Sequence, residues 1–324
     1  MLPNVLPSPS PDAHVPVLAS EVATLLDVHP GELIVDCTFG AGGHSRLLAR
    51  GLEGNGQLVA IDRDPTTQPF VDALRATVGT GVQVRPMHGP FASCLRRLLE
   101  EDAHAGAVLM DLGMSSMQVD APARGFSYMH DAPLDMRMDP SDELTAATIV
   151  NVWDERQLSQ IFQRYGEERF SRQIARAIVR ERAHEPFEST LQLVATIKRA
   201  IPTPSRFGHG HPAKHVFQAL RIAVNDELGQ LEDGLESALE LCEPGGRLAV
   251  IAFHSLEDRM VKQRFAKAAK GCICPPDLPV CGCGRTPEFR LVTSKAVRPG
   301  ADEVAANPRS ASARLRVVQR EVTA

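Results

Sequence analysis

Aromatic residues are scarce in this 324-residue chain: they make up 5%, with one tryptophan and two tyrosines. Its core must therefore be largely aliphatic, and few positions are left that could stack against a planar ring. No apolar run approaches the eighteen or so residues of a membrane span, and no Lys or Arg precedes Arg46, so the basic flank of an export signal is missing. A cytoplasmic protein with no membrane attachment is expected. There is no large excess of charge of one sign either. Lys plus Arg number 35 against 40 Asp plus Glu, a net charge of -5, so nucleic-acid binding has to rest on local basic surface. Cysteines number seven; an odd count without an export signal argues against a disulfide framework and for metal ligation or structural thiols. With 43% hydrophobic and 23% charged residues, the chain has ordinary globular composition, long enough for one elaborated domain or two.

Residues 1–13 hold four prolines and no amphipathic pattern, which predicts a disordered tail. Residues 32–36 form a short apolar run ending in Asp36, followed by a glycine-rich stretch at 38–45 and a helix-like one at 46–50. Comparable strands are expected at 58–62, ending in Asp62, at 82–84, and at 107–111, ending in Asp111. Strands alternating with helices predict an α/β protein with a doubly wound, Rossmann-like parallel sheet. The next strand pattern is at 247–253, and a crossover needs only some thirty residues. The long gap is helical in pattern, with Leu158, Ile161, Phe162 and Tyr165, then Phe170, Ile174, Ala177 and Ile178, then Leu191, Leu193, Val194 and Ile197 at three-to-four spacing. A long last helix is expected over 213–241. The domain reading is therefore a sheet domain of residues 14–119 and 226–324 with a helical subdomain, 120–225, inserted in it. Residues 289–293 and 314–318 read as an antiparallel edge pair.

A glycine loop between a first strand and a helix lets backbone amides approach a polar cofactor. Asp62 closes the second strand about twenty residues later, where a carboxylate can accept both hydroxyls of an adenosine ribose; a strand-end turn residue is the plainer reading. The loop Gly40-x-Gly42-Gly43-x-Ser45 lacks the last glycine of the dinucleotide fingerprint and carries Asp36 at the strand end. A carboxylate there repels a pyrophosphate and suits the cationic methionine moiety of S-adenosylmethionine. That favours S-adenosylmethionine over NAD, with an Asp turn ahead of the glycines as the alternative.

Nine blocks in order carry a family resemblance: HVPVL from His14, DCTFGAGGHS from Asp36, AIDRDP from Ala60, DLGMSS from Asp111, RGFS from Arg124, PLDMRMD from Pro133, FQALRI from Phe217, FHSLEDR from Phe253 and NPRS from Asn307. From His14 to Val317 the chain resembles the bacterial 16S rRNA cytosine-N4 methyltransferases of the MraW type. The resemblance implies transfer of a methyl group from S-adenosylmethionine to the exocyclic N4 of a cytosine in the decoding centre of 16S rRNA. The small ribosomal subunit is then the expected partner. It also implies cofactor contacts at Gly42, Gly43, His44, Asp62, Phe91, Asp111 and Gln118, beside the Asp36 read from the loop. Ala19, His215 and Ala311 depart from the family's usual residues, which weakens phosphate contact at the last two. A dehydrogenase using NAD, or an rRNA-binding assembly factor without chemistry, are the competing readings.

The cytosine amino nitrogen is a poor nucleophile, because its lone pair is delocalised into the ring. Acceptors must hold its hydrogens while it turns toward the methyl. Asp111 is a catalytic candidate, and so is His254, which reads equally as a structural histidine. Phe126 or Tyr128 can offer a stacking face. Asp135, Arg137 and Asp139 read as a salt-bridged loop or a substrate-facing one. Between Arg285 and Arg320 there are eight cations and three carboxylates, which makes Arg298, Arg309 and Arg314 candidate RNA-phosphate contacts. Arg172, Arg176 and Arg180 form a stripe more readily explained as a solvated helix face. Cys272, Cys274, Cys281 and Cys283 put four thiols within twelve residues; they can hold a structural zinc or remain reduced loop cysteines.

Overall fold

The computed structural model describes residues 16–203, 210–272, 274, 282–283 and 286–322. The expected tail, and His14, lie outside them. The chain divides into two compact units, Met1–Gly113 with Leu231–Ala324, and Met114–Gln230. The divisions thus fall after Gly113 and Gln230, so the second unit takes in a few more residues at each end than the 120–225 read from the sequence.

In the first unit, the described residues form a seven-stranded sheet in the order β3-β2-β1-β4-β5-β7-β6. The strands are β1 (Leu33–Asp36), β2 (Gly56–Asp62), β3 (Val82–His88), β4 (Ala105–Asp111), β5 (Cys242–Ala252), β6 (Phe289–Leu291) and β7 (Arg314–Arg320). β1 to β5 run parallel, and β7 is antiparallel to both its neighbours. This is the Rossmann-like α/β class that the alternation of strands and helices predicts, with the two late strands as its antiparallel edge.

Both faces of the sheet are buried, which is why its central strands are almost wholly apolar. Side chains alternate between faces with the two-residue period of a strand. Val35, Val59, Val108 and Val250 pack with Leu95 and Leu98 of α4 (Phe91–Glu100), Leu235 of α11 (Glu227–Leu241) and Phe265 of α12 (Ser255–Ala268). Their neighbours Ile34, Leu58, Leu109 and Ile251 face the other way, onto Val22 and Leu26 of α1 (Ala19–Leu26) and Val71 and Leu74 of α3 (Gln68–Thr77). The chain runs outward from β1 to β3 and then returns to β4. The carboxyl ends of β1 and β4 therefore flank the switch point where open α/β sheets bind ligands.

The second unit is helical: α5 (Ser116–Val119), α6 (Ala146–Val152), α7 (Glu155–Arg164), α8 (Ser171–Arg182), α9 (Thr190–Ala200) and α10 (Lys214–Asn225). Ile149, Phe162, Ile174, Ile178, Leu193, Phe217 and Leu220 build its own core. Full capping boxes start α7 (Asp154 with Gln157) and α9 (Ser189 with Gln192). The single long helix expected over 213–241 is two helices. Asp226 adopts the left-handed conformation (φ 48°, ψ 40°) and ends α10. A Cβ at Gly229 would lie 2.5 Å from Asp226 Oδ1, so a glycine permits the bend. The apolar spacing continues through this break, which hid it from a periodicity reading.

Candidate cofactor site

β1, β2 and β4 each end in an aspartate, Asp36, Asp62 and Asp111, so three carboxylates gather at the carboxyl edge beside the switch point. Asp36 is 1% exposed. Its Oδ2 accepts a hydrogen bond from Ser45 Oγ at 2.7 Å and its Oδ1 accepts one from the Thr38 amide at 3.1 Å. Burial pushes its pKa up and Asp111 adds to that push, while the Ser45 bond, His44 and the Thr38 amide pull against it. Each oxygen of Asp36 thus has one donor from the loop and keeps a second lone pair. Both of its oxygens serve the loop itself, and it acts as the anchor that folds residues 38–45 back onto β1.

Asp62 is the counterpart on β2. Burial raises its pKa to about 6, against the pull of two backbone amides and with smaller upward pushes from Asp64 and Asp36. The Asp64 amide donates to Oδ1 at 2.8 Å and the Gly40 amide to Oδ2 at 2.7 Å. Each oxygen keeps a second lone pair for a further donor, so the carboxylate is oriented in advance for a diol. Gly42 turns the loop with φ 75°, and a Cβ there would come 2.7 Å from the Phe39 ring, so no larger residue fits without displacing that ring.

Thr38 Oγ1 accepts the Asp111 amide at 2.6 Å, tying the end of β1 to the end of β4. His44, in α2 (Gly43–Leu48), is 6% exposed, and its Nε2 lies 3.5 Å from Asp111 Oδ2, an ion-pair distance without hydrogen-bond alignment. Burial opposes the charged imidazolium, but Asp111, Asp36 and Glu303 outweigh it and raise the pKa. Both ring nitrogens of His44 and Asp111 Oδ1 are buried without a hydrogen-bond partner. Buried polar atoms in that condition are rare, and these three belong to two neighbouring side chains at the carboxyl edge of the sheet. Phe91 begins α4 and is half-buried, with its ring seated against Gly234 of α11, where a Cβ would fall 2.3 Å from the ring. Thr38, Ser45 and Gly234 were missed as site-building residues; the signal for Gly234 is a glycine in a helix interior, which costs stability unless a close approach needs it.

Several expectations change on contact with the structure. His254 is the N-cap of α12, in a capping box with Glu257; its Nε2 lies 3.1 Å from Glu257 Oε1 but, like the His44 ring nitrogens, is buried without an aligned hydrogen bond. Phe126 is 7% exposed within the core of the second unit, and Tyr128 stacks on His211 with ring centroids 4.6 Å apart, so neither presents an open stacking face. Arg314 and Arg316 both bind Asp258, at 2.9 and 2.7 Å, so part of the Arg314 charge is met within the protein. Arg290 and Arg320 are likewise engaged, with Gln319 and with the Glu240 and Cys242 carbonyls. Arg298 and Arg309 are exposed. Gln118 lies in the second unit, where its Oε1 accepts the Ser115 amide at 3.1 Å.

In the second unit Arg137 pairs with Asp135 at 2.7 Å and donates to the Pro140 and Asp142 carbonyls, the arrangement of a salt-bridged loop. Arg172, Arg176 and Arg180 lie on the exposed face of α8, opposite Ile174 and Ile178. Cys272, Cys274 and Cys283 come together, while Cys281 lies outside the described residues.

Comparison with known proteins fits this geometry. The profile of the MraW methylase family matches residues 12–321. The chain is 51% identical over 314 residues to the ribosomal RNA small subunit methyltransferase H of Symbiobacterium thermophilum, covering 94% of this chain and 96% of that one. It is 50% identical to the protein of that name from Citrifermentans bemidjiense, over 95% of this chain and 98% of the relative. Against the one from Paenibacillus sp. the identity is 46%, over 95% and 99%.

Ser45→Ala tests the anchor. It leaves Asp36 Oδ2 buried without its hydroxyl donor, which costs about 1 to 3 kcal/mol. Thermal unfolding of the ligand-free protein should show a melting temperature lowered by several degrees; an unchanged one removes the anchoring role.

Proposed function

The chain belongs to the MraW methylase family, and we propose that it transfers a methyl group from S-adenosylmethionine to the exocyclic N4 of a cytosine in the decoding centre of 16S rRNA, within the small ribosomal subunit in the cytoplasm. The observation that carries this reading is the pair formed by Asp111 and His44, 3.5 Å apart and with buried polar atoms unsatisfied, beside a second carboxylate oriented in advance by two amides. The relatives' names supply the RNA.

The residues present fit S-adenosylmethionine. Asp62 would accept the two ribose hydroxyls, the backbone at Gly42 and Gly43 would allow close approach, and Phe91 would lie beside the adenine. When bound, the cofactor supplies an electrophilic methyl on a sulfonium. Everything else falls to the chain. Asp111 offers an acceptor at the carboxyl edge of β4. Holding a hydrogen of the target amine there directs the nitrogen lone pair at the methyl. The methylated amine is strongly acidic, so its proton passes to Asp111 or to water without a dedicated base. His44 sits 3.5 Å from Asp111, and the carboxylates around it raise its pKa against the effect of burial.

The exposed Arg298 and Arg309 bind phosphate in this reading. The deciding experiment incubates small subunits from cells lacking the gene with the enzyme and S-adenosylmethionine, then identifies modified nucleosides by mass spectrometry. N4-methylated cytidine supports the proposal. No methylation leaves a binding factor, and methylation at another atom refutes the cytosine-N4 assignment.

Two variants follow from this. Asp62→Ala loses two charge-assisted hydrogen bonds worth about 1.5 to 3 kcal/mol each, so calorimetric affinity for S-adenosylmethionine should fall well over tenfold. Ligand hydroxyls favour the ionised carboxylate, so wild-type affinity should also weaken as pH falls through the Asp62 pKa of about 6, by about tenfold per pH unit. The variant should be flat there; parallel curves for the two proteins would remove Asp62 from the ribose. Arg298→Gln combined with Arg309→Gln should weaken RNA binding and flatten its salt dependence by about one unit of slope per lost contact. Wild-type affinity and slope in that double variant would return both arginines to plain surface.

A further inference from the structure

Away from the cofactor site, the connection from α12 to β6 gathers Cys272, Cys274 and Cys283, whose sulfur atoms all lie within 4.8 Å of one another. Cys272 and Cys283 are 3.8 Å apart, sulfur to sulfur. A disulfide would bring them to about 2.05 Å. Two thiolates on a tetrahedral zinc, each bonded at about 2.3 Å, stand about 3.8 Å apart. The Cys274 amide also donates to Cys272 Sγ at 3.4 Å, a contact that favours negative charge on that sulfur. Ordinary packing does not explain the convergence, since Cys272 is exposed and the other two are only half-buried. Cysteines gathered by a core are the reverse, like Cys37, Cys94 and Cys242 in this same chain.

We infer that Cys272, Cys274 and Cys283 supply three of the four ligands of a structural zinc ion, the fourth position being taken by one further donor such as water. Each thiol gives up its proton to bulk water as its sulfur ligates the metal. The ion ties the segment after α12 to the segment before β6. Among the described residues β6 is a three-residue edge strand paired with β7 alone, so a cross-link just before it limits fraying of that edge. The site lies outside the residues assigned above to methyl transfer.

The test uses the full chain, reduced, reconstituted with zinc chloride and desalted. Elemental analysis should give about one zinc per chain, falling at least tenfold when Cys272→Ser and Cys283→Ser are combined. Affinity of that variant for S-adenosylmethionine should match wild type, which also shows that it folds. Cobalt loading of the wild-type protein provides a readout that needs no variant. It should give a thiolate-to-metal charge-transfer band in the near ultraviolet and the intense visible bands of tetrahedral cobalt. Wild-type protein that retains no zinc, equal retention in the variant, or a cobalt spectrum without thiolate bands each overturns the site.

Discussion

Burial of negative charge at the carboxyl edge of β1, β2 and β4 is the constraint on which the rest of this structure depends. Asp36 is almost completely buried, and Asp62 is buried enough to bring its pKa to about 6, with Asp36 adding a smaller push. Carboxylates in that position stay ionised only if donors come to them. The loop after β1 supplies those donors: Ser45 and the Thr38 amide for Asp36, and the Gly40 amide for Asp62. Its glycines follow from that demand, because the backbone must double back past the Phe39 ring. Asp111 is treated differently. Its amide is tied down by Thr38, but Oδ1 is left without a partner and the His44 ring lies 3.5 Å from Oδ2. Asp36 is built into the loop, Asp62 is oriented by it, and Asp111 has an oxygen with no partner among the described residues.

The second unit follows a separate logic. Its helices enclose their own aliphatic and phenylalanine core, and its few aromatic side chains are spent on packing. RNA recognition therefore cannot rest on Phe126 or Tyr128 as open stacking surfaces. Charge has been spent in the same way on the last two strands of the first unit, where Asp258 gathers Arg314 and Arg316. A run of cations in sequence overstates the phosphate-binding surface, because some of those charges neutralise the protein's own carboxylates.

The parts legible in the sequence were those set by local pattern. Strands ending in aspartate, the glycine loop and the antiparallel edge pair are all governed by neighbouring residues, and the sheet has them. Features set by distant contacts were not legible. The break at Asp226 depends on one residue entering the left-handed region inside a continuous apolar pattern. β5 begins at Cys242, well before the apolar run at residue 247, because pairing with β4 extends it through a Pro-Gly-Gly stretch. The role of Asp36 turned on Ser45, nine residues away, whose hydroxyl carries no signal in a sequence motif. His254 looks the same in sequence whether it is a base or a cap, and only the helix start beside it assigns the cap.

The central claim is that Asp111 is the carboxylate left open for the reaction. Asp111→Asn keeps the shape and one acceptor oxygen but removes the charge. The direct measurement is single-turnover methyl transfer to small-subunit RNA at saturating S-adenosylmethionine, paired with a cofactor-binding titration of the same variant. The expected result is cofactor affinity near wild type with a rate lowered about a hundredfold or more, the scale for losing one preorganised polar group. Lost affinity with a normal saturated rate would move Asp111 to cofactor binding alone. A variant normal in both would show that the open carboxylate is not at the reacting centre.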